Sequence, residues 1–122
     1  VSYFDPIDTI KTNVVGTTNI LEAIKNSKSV KVGIIVTTDK VYQPTSRKHG
    51  FNEDDKLGGD DPYSSSKAAL ELVTKSWRKS FFEENIVIST ARAGNVIGGG
   101  DWAKDRLVPD IVRSLPLIIG YG

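Results

Sequence analysis

Cysteine and methionine are both missing from this 122-residue sequence, and histidine occurs once, at His49. Without cysteine there is no disulfide framework and no thiolate metal site, and a single histidine argues against a histidine-based one. The longest apolar runs are a handful of residues, far short of a bilayer span. No secretory signal pattern opens the chain, so a cytoplasmic protein is expected. Excess charge of one sign is missing too: 16 Lys and Arg stand against 15 Asp and Glu, interspersed along the chain. The basic footprint of a nucleic-acid binder is therefore absent. The missing methionine, with a start at Val1 on the approach to a helix, leads us to expect a segment of a longer polypeptide.

What is present is ordinary for a globular protein, with 39% hydrophobic and 25% charged residues, enough to build the core of one domain. Ile7, Ile10, Val14, Leu21 and Ile24 recur at helical steps and predict a helix with one buried face. Asp5-Pro6 fits its start as cap and first-turn proline. Gly16, inside that helix, costs about 1 kcal/mol against alanine, which close packing on a neighbour would explain. Val30 to Val36 reads as a strand buried on both faces. A polar, turn-rich segment from Gln43 to Asp61 follows, long enough to be either functional or disordered.

A second helix is predicted from Asp61-Pro62, with Tyr63, Lys67, Leu70, Thr74, Trp77 and Phe81 along one stripe. Ile86 to Ala91 is a second strand, ending at a glycine-rich turn from Gly94 to Gly100. Leu107 to Leu115 reads as a shorter helix entered through Pro109, and residues 116–122 form an unassigned tail. Strands alternating with helices at this spacing argue for an α/β fold, part of a Rossmann-like doubly wound parallel sheet with helical crossovers. Two strands make no stable sheet, so further strands are expected from outside this stretch.

In such sheets ligands bind beyond the carboxyl ends of the strands. Two polar clusters fall there, Thr37-Thr38-Asp39-Lys40 and Arg92 to Asp101. Tyr63 and Lys67, four apart on a helix, share one face. A free phenol has a pKa of about 10, and a nearby ammonium group lowers it toward a usable base. Lys67 can do this for Tyr63 while bonding the hydroxyls of a ribose. The same pair also fits a packed tyrosine beside a solvated lysine, and Thr-Asp after a strand also fits a simple turn cap. Gly98, Gly99 and Gly100 do not match a G-x-G-x-x-G phosphate cradle. They read as a turn that lets the backbone approach a substrate. His49, on the long loop, reads as a surface residue.

These segments together resemble the extended short-chain dehydrogenase/reductase family, in its NAD-dependent epimerase/dehydratase group. The resemblance is carried by residues 12–23, by Tyr63-Ser64-Ser65-Ser66-Lys67 as a Tyr-x-x-x-Lys motif, and by Thr38-Asp39, which lies 25 positions before Tyr63. Residues 92–103 and 106–111 extend it, so that it covers roughly residues 2 to 115. It implies that residues 1–115 are the central portion of an NAD-binding Rossmann-like domain, with the start of the substrate-binding region. The glycine-rich cofactor fingerprint of the family is not in this sequence.

The resemblance also implies a chemistry, the 4,6-dehydration of a nucleotide sugar, CDP-glucose, through an internal NAD hydride cycle. Tyr63 and Lys67 would contact NAD, Tyr63 taking the proton of the sugar 4-hydroxyl. Thr38 would bond that same oxygen. Asp39 would act as acid toward the departing 6-hydroxyl, and Lys40 as base at C5, where many of these dehydratases carry glutamate. Lysine is a base only when neutral, which burial would favour. Asn95 and Arg106 resemble nucleotide-sugar contacts, and the planar fork of arginine suits a diphosphate. Asn13 would support the site structurally, and a homodimer is implied for the full-length enzyme. The alternatives are a 4-epimerase, a dehydratase of another nucleotide sugar, or a non-catalytic dinucleotide-binding protein. An epimerase has no use for Asp39 and Lys40, and the non-catalytic relatives commonly lose the tyrosine or lysine that stand here.

Overall fold

The computed structural model describes residues 2–46, 48–82, 86–103 and 105–119, with the side chains of 116–119 left aside. One helical rod opens the chain in three pieces: α1 (Pro6–Ile10), a π-helical turn (Lys11–Val15) and α2 (Gly16–Lys25). Asp5 caps it, its carboxylate accepting from the Asp8 backbone N–H at 2.9 Å. The expected single buried face is only partly formed. Leu21 is fully buried, but Ile7 and Ile10 are exposed. Close packing also fails to explain Gly16. A Cβ there would meet only the Lys11 carbonyl oxygen, at an ordinary 3.8 Å. Gly16 instead follows the wide π turn directly, a feature that π-bulges often bring to functional sites.

Strand β1 (Val32–Thr38) and strand β2 (Val87–Ala93) pair in parallel, with Val32 opposite Val87 and Thr38 opposite Ala93. Both run about two residues further than the apolar pattern predicts, because the ladder continues into polar residues: Thr37 pairs with Arg92. Helix α3 (Pro62–Phe81) is the crossover between them and packs on one face of the pair. Val32, Ile34 and Val36 point away from α3 and are about 60% exposed (59%, 62% and 60%). The face against the helices holds Ile88, and with Leu21, Leu70 and Val41 it makes the small core.

Two ties close the structure around α3. At its far end, Trp77 meets Phe81 edge to face and the Lys25 ammonium group lies over both rings. At its near end the polar segment before it is ordered: the Tyr42–Leu57 bridge and the Gln43 N–H to Lys56 carbonyl bond, 2.9 Å, fold it back on itself. Gly59 there has φ +127°, and a Cβ would sit 2.7 Å from the Ser64 side chain, so only glycine fits. Helix α4 (Leu107–Ile119) passes the expected end at Leu115 and continues through Pro116. A proline removes one backbone donor, which bends or weakens a helix without having to stop it. Residues 120–122 of the unassigned tail lie outside the described residues.

Candidate active site at the strand ends

Helix α3 is aimed at the strand ends by its cap. The Asp61 carboxylate accepts from the backbone N–H groups of Tyr63, at 2.9 Å, and Ser64, at 3.1 Å, and from the Ser64 hydroxyl. The Ser64 hydroxyl is the main cause that holds the Asp61 carboxyl below its usual range, burial opposing it and the two backbone N–H groups and the charge of Lys40 adding to it. With the first turn fixed, Tyr63 and Lys67 leave the helix on the side of β1. Lys67 Nζ donates to the Val36 carbonyl at 3.3 Å, tying α3 to the end of β1. Asn13, from the π turn, donates to Ser66 Oγ at 2.8 Å, and Ser66 donates to the Tyr63 carbonyl at 2.7 Å. The structural support expected of Asn13 is thus a direct bond into the Tyr63–Lys67 turn.

At the end of β1, Thr38 is buried and its hydroxyl donates to Asp39 Oδ1 at 3.1 Å while accepting from the Lys40 N–H at 3.3 Å. That second bond caps the short 3-10 turn Asp39–Val41 and turns the chain sharply out of the strand. Thr38, Asp39 and Lys40 line one cleft of about 920 Å³ together with Tyr63 and Lys67. Asn95 and Arg106 line the same cleft, as do Gly98, Gly99 and Gly100. At Gly98 and Gly99 a Cβ would meet nothing, and Gly100 takes φ +82°, the turn conformation that favours glycine. Arg106 pairs loosely with Asp101, 3.6 Å apart and both exposed at the rim.

All seven expected site residues therefore share one cavity. Two points differ from expectation. Lys40 is exposed, so the described residues do not supply the burial that a neutral lysine needs. Thr37 and Thr38 belong to the strand and do not follow it. His49 is exposed, away from the cleft. Among the described residues no cluster of His, Cys, Asp and Glu can hold a metal, and no helix is long and apolar enough to cross a membrane.

One feature bonded to the cleft lining through Thr37 carried no role in the sequence: the Glu71–Arg92 ion pair. Glu71 lies four residues beyond Lys67 on the same helix and is 5% exposed. Its carboxylate accepts from Thr37 Oγ1 at 2.6 Å, Thr90 Oγ1 at 2.9 Å, and Arg92 Nε and Nη2 at 3.0 and 3.2 Å. Burial raises the Glu71 pKa, but these bonds outweigh it and hold the carboxyl below its usual range. Arg92 is raised in turn, first by Glu71. The spacing Tyr63, Lys67, Glu71, a carboxylate continuing the reactive stripe by one more turn, was the available signal.

A sequence model of the family described as GDP-mannose 4,6 dehydratase matches residues 1–108. The chain is 47% identical to the CDP-glucose 4,6-dehydratase of Salmonella typhimurium, over 93% of this chain and 33% of that protein. Among solved structures, the dTDP-glucose 4,6-dehydratase of Bacillus anthracis in complex with NAD superposes with a TM-score of 0.74 at 31% identity, over 88% of this chain and 33% of that one. A dTDP-glucose 4,6-dehydratase from Streptomyces venezuelae, with NAD and TYD bound, gives 0.80 at 25% identity, over 94% and 34%. The chain spans about a third of the length of the relatives it matches. With the matched region taking in both strands, α3 and the residues Thr38, Asp39, Lys40, Tyr63 and Lys67, the chain belongs to the GDP-mannose 4,6 dehydratase family.

Proposed function

We propose that this chain is the catalytic segment of an NAD-dependent nucleotide-sugar 4,6-dehydratase whose substrate is CDP-glucose. The observation that supports it most is the meeting of Thr38, Asp39, Lys40, Tyr63 and Lys67 in one cleft at the carboxyl ends of two parallel strands. The 47% identity to a CDP-glucose 4,6-dehydratase favours that nucleotide over others. A cytoplasmic homodimer is the setting we infer for the complete enzyme.

The donor set fits a nicotinamide riboside: a phenol and an ammonium group on one helix face, beside the open end of β1. Tyr63 and Lys67 would hold it, and bound NAD would supply the hydride acceptor for C4 of the sugar and the hydride donor for C6. Tyr63 takes the proton of the 4-hydroxyl, and Thr38 bonds the same oxygen and steadies it. The ketone at C4 acidifies the C5 proton, which Lys40 removes. Lys40 must first lose its own proton, so the bound substrate has to exclude water from the cleft. Asp39 protonates the departing 6-hydroxyl, and once C6 has its hydride Lys40 returns a proton to C5, so that the product is a 4-keto-6-deoxy sugar. Asn95 and Arg106, in the same cleft, meet the nucleotide diphosphate.

Incubating the complete polypeptide with CDP-glucose and NAD tests this. The base-induced absorbance of a 4-keto sugar is expected. Epimerised sugar without a ketone would show a 4-epimerase instead, and tight NAD binding without turnover a non-catalytic protein.

A further inference from the structure

We propose that the Glu71–Arg92 pair is a positioning device for the acid and base of the elimination step, Asp39 and Lys40. This rests on the dehydratase reading above. The pair grips the chain on both sides of that short segment. On the upstream side, Glu71 accepts from Thr37 at 2.6 Å. On the downstream side, Arg92 Nη1 donates to the Tyr42 hydroxyl at 3.1 Å, with its guanidinium 5.0 Å from the Tyr42 ring centre. Tyr42 is stacked flat on Phe51, rings 4.5 Å apart, and Arg92 also donates to the Glu53 carbonyl at 3.2 Å.

The reason for needing such a device is where the ladder stops. Thr38 is still held by pairing with Ala93. Asp39 and Lys40 stand beyond the last pair, on a single 3-10 turn closed by a 3.5 Å bond from the Tyr42 N–H to the Asp39 carbonyl. What lies past that turn returns through bonds of Gly58 to Val41 and Gln43 to Lys56, and this returning segment leans on Arg92 at Glu53. One guanidinium, oriented by one buried carboxylate, thus fixes the direction in which residues 39–42 leave the strand. Tyr63 and Lys67 do not depend on it, because the Asp61 cap, the Asn13–Ser66 bond and the Lys67–Val36 bond hold their turn.

The pair therefore serves elimination more than oxidation, and the test separates the two steps. In single-turnover reactions of the complete enzyme with CDP-glucose, reduced-nicotinamide absorbance reports oxidation at C4. Entry of solvent deuterium at C5 and appearance of the dehydrated ketone report elimination. Glu71→Gln keeps the size of the side chain and removes its charge. It is expected to slow elimination at least about tenfold while oxidation stays within about twofold, so that reduced nicotinamide accumulates. Tyr42→Phe, which deletes only the hydroxyl that accepts from Arg92, is expected to give the same split, smaller in size, with an unchanged melting temperature. Equal slowing of both steps in the two variants, or no slowing in either, overturns the positioning role. A wild-type enzyme that forms no ketone overturns the dehydratase reading instead, and this inference with it.

Discussion

The phenol of Tyr63 stands at the second residue of α3, where the Asp61 carboxylate takes up the backbone N–H of Tyr63 itself. Its place in the cleft is thus set by backbone bonds that a change of side chain leaves alone. Tyr63→Phe removes the acid–base oxygen and nothing else, and general-base catalysis accounts for about 10²–10⁴ in rate. Ketone formation by the complete enzyme is expected to fall by about that factor, while NAD affinity, followed by calorimetry, falls far less because Lys67 is retained. A loss of NAD binding equal to the loss of rate would refute the assignment. At this scale the sequence was informative wherever chemistry follows from local spacing. Tyr63 and Lys67 share a face because four residues make a helical turn, and Thr38-Asp39 falls at a strand end because the apolar run stops there. Glu71 escaped notice because a glutamate on a long amphipathic helix ordinarily meets water. Its partners, Thr37, Thr90 and Arg92, come together only through the parallel register of two strands 55 residues apart in their paired positions, as Val32 with Val87.

At the scale of elements, α3 is the part on which the cleft depends most, and its stability is tied to two carboxylates. Asp61 caps the helix, and Asp61→Ala is expected to cost about 1 kcal/mol, measured by denaturant unfolding of the complete protein. The same carboxylate makes α3 sensitive to acid. Asp61 and Glu71 are both held below their ordinary values of 3.8 and 4.5. A depressed carboxyl binds its proton more weakly in the folded state than in the unfolded one. The stability it contributes is therefore complete above those ordinary values and is lost as pH falls through the lower folded ones. Thermal midpoints are expected to hold down to about pH 5 and then to drop, with Glu71→Gln showing a shallower drop from a lower start. A drop that begins near neutrality would mean that other groups govern the transition. Element order was legible from periodicity, but element ends were not. Strand ends lie where hydrogen bonding stops, and β1 and β2 carry their ladder into Thr37, Thr38 and Arg92 after the apolar signal has ended. Helix α4 likewise runs past its expected end, through Pro116, since a proline costs one backbone donor without having to stop a helix.

For the whole molecule, the decisive fact is that the described residues cover the sheet on one side only. Val32, Ile34 and Val36 on β1 and Val87 on β2 are more than half exposed, although β-branched runs of this kind belong in sheets buried on both faces. The sequence foretold a sheet needing more strands, because two make an unstable one. It did not foretell which face would be left open, since a continuous apolar run carries no alternation to distinguish its sides. An uncovered sheet also bears on the cofactor. Phosphate recognition in this fold belongs to a glycine-rich turn opening a helix, and here Gly98, Gly99 and Gly100 form a loop after β2 with no helix directly behind it among the described residues. The 122 residues on their own thus present the catalytic face of the cleft, the phenol, the ammonium group and the strand-end turn, without a cradle for the pyrophosphate. Affinity for a dinucleotide rests largely on that cradle and on the rigidity of the sheet beneath it. The isolated chain is accordingly expected to bind NAD too weakly to register by calorimetry at micromolar concentrations and to form no ketone from CDP-glucose. Its exposed sheet face should bind a hydrophobic dye. Micromolar NAD binding by the isolated 122 residues would mean that Tyr63, Lys67 and the strand ends hold the dinucleotide by themselves, and that the cradle is dispensable.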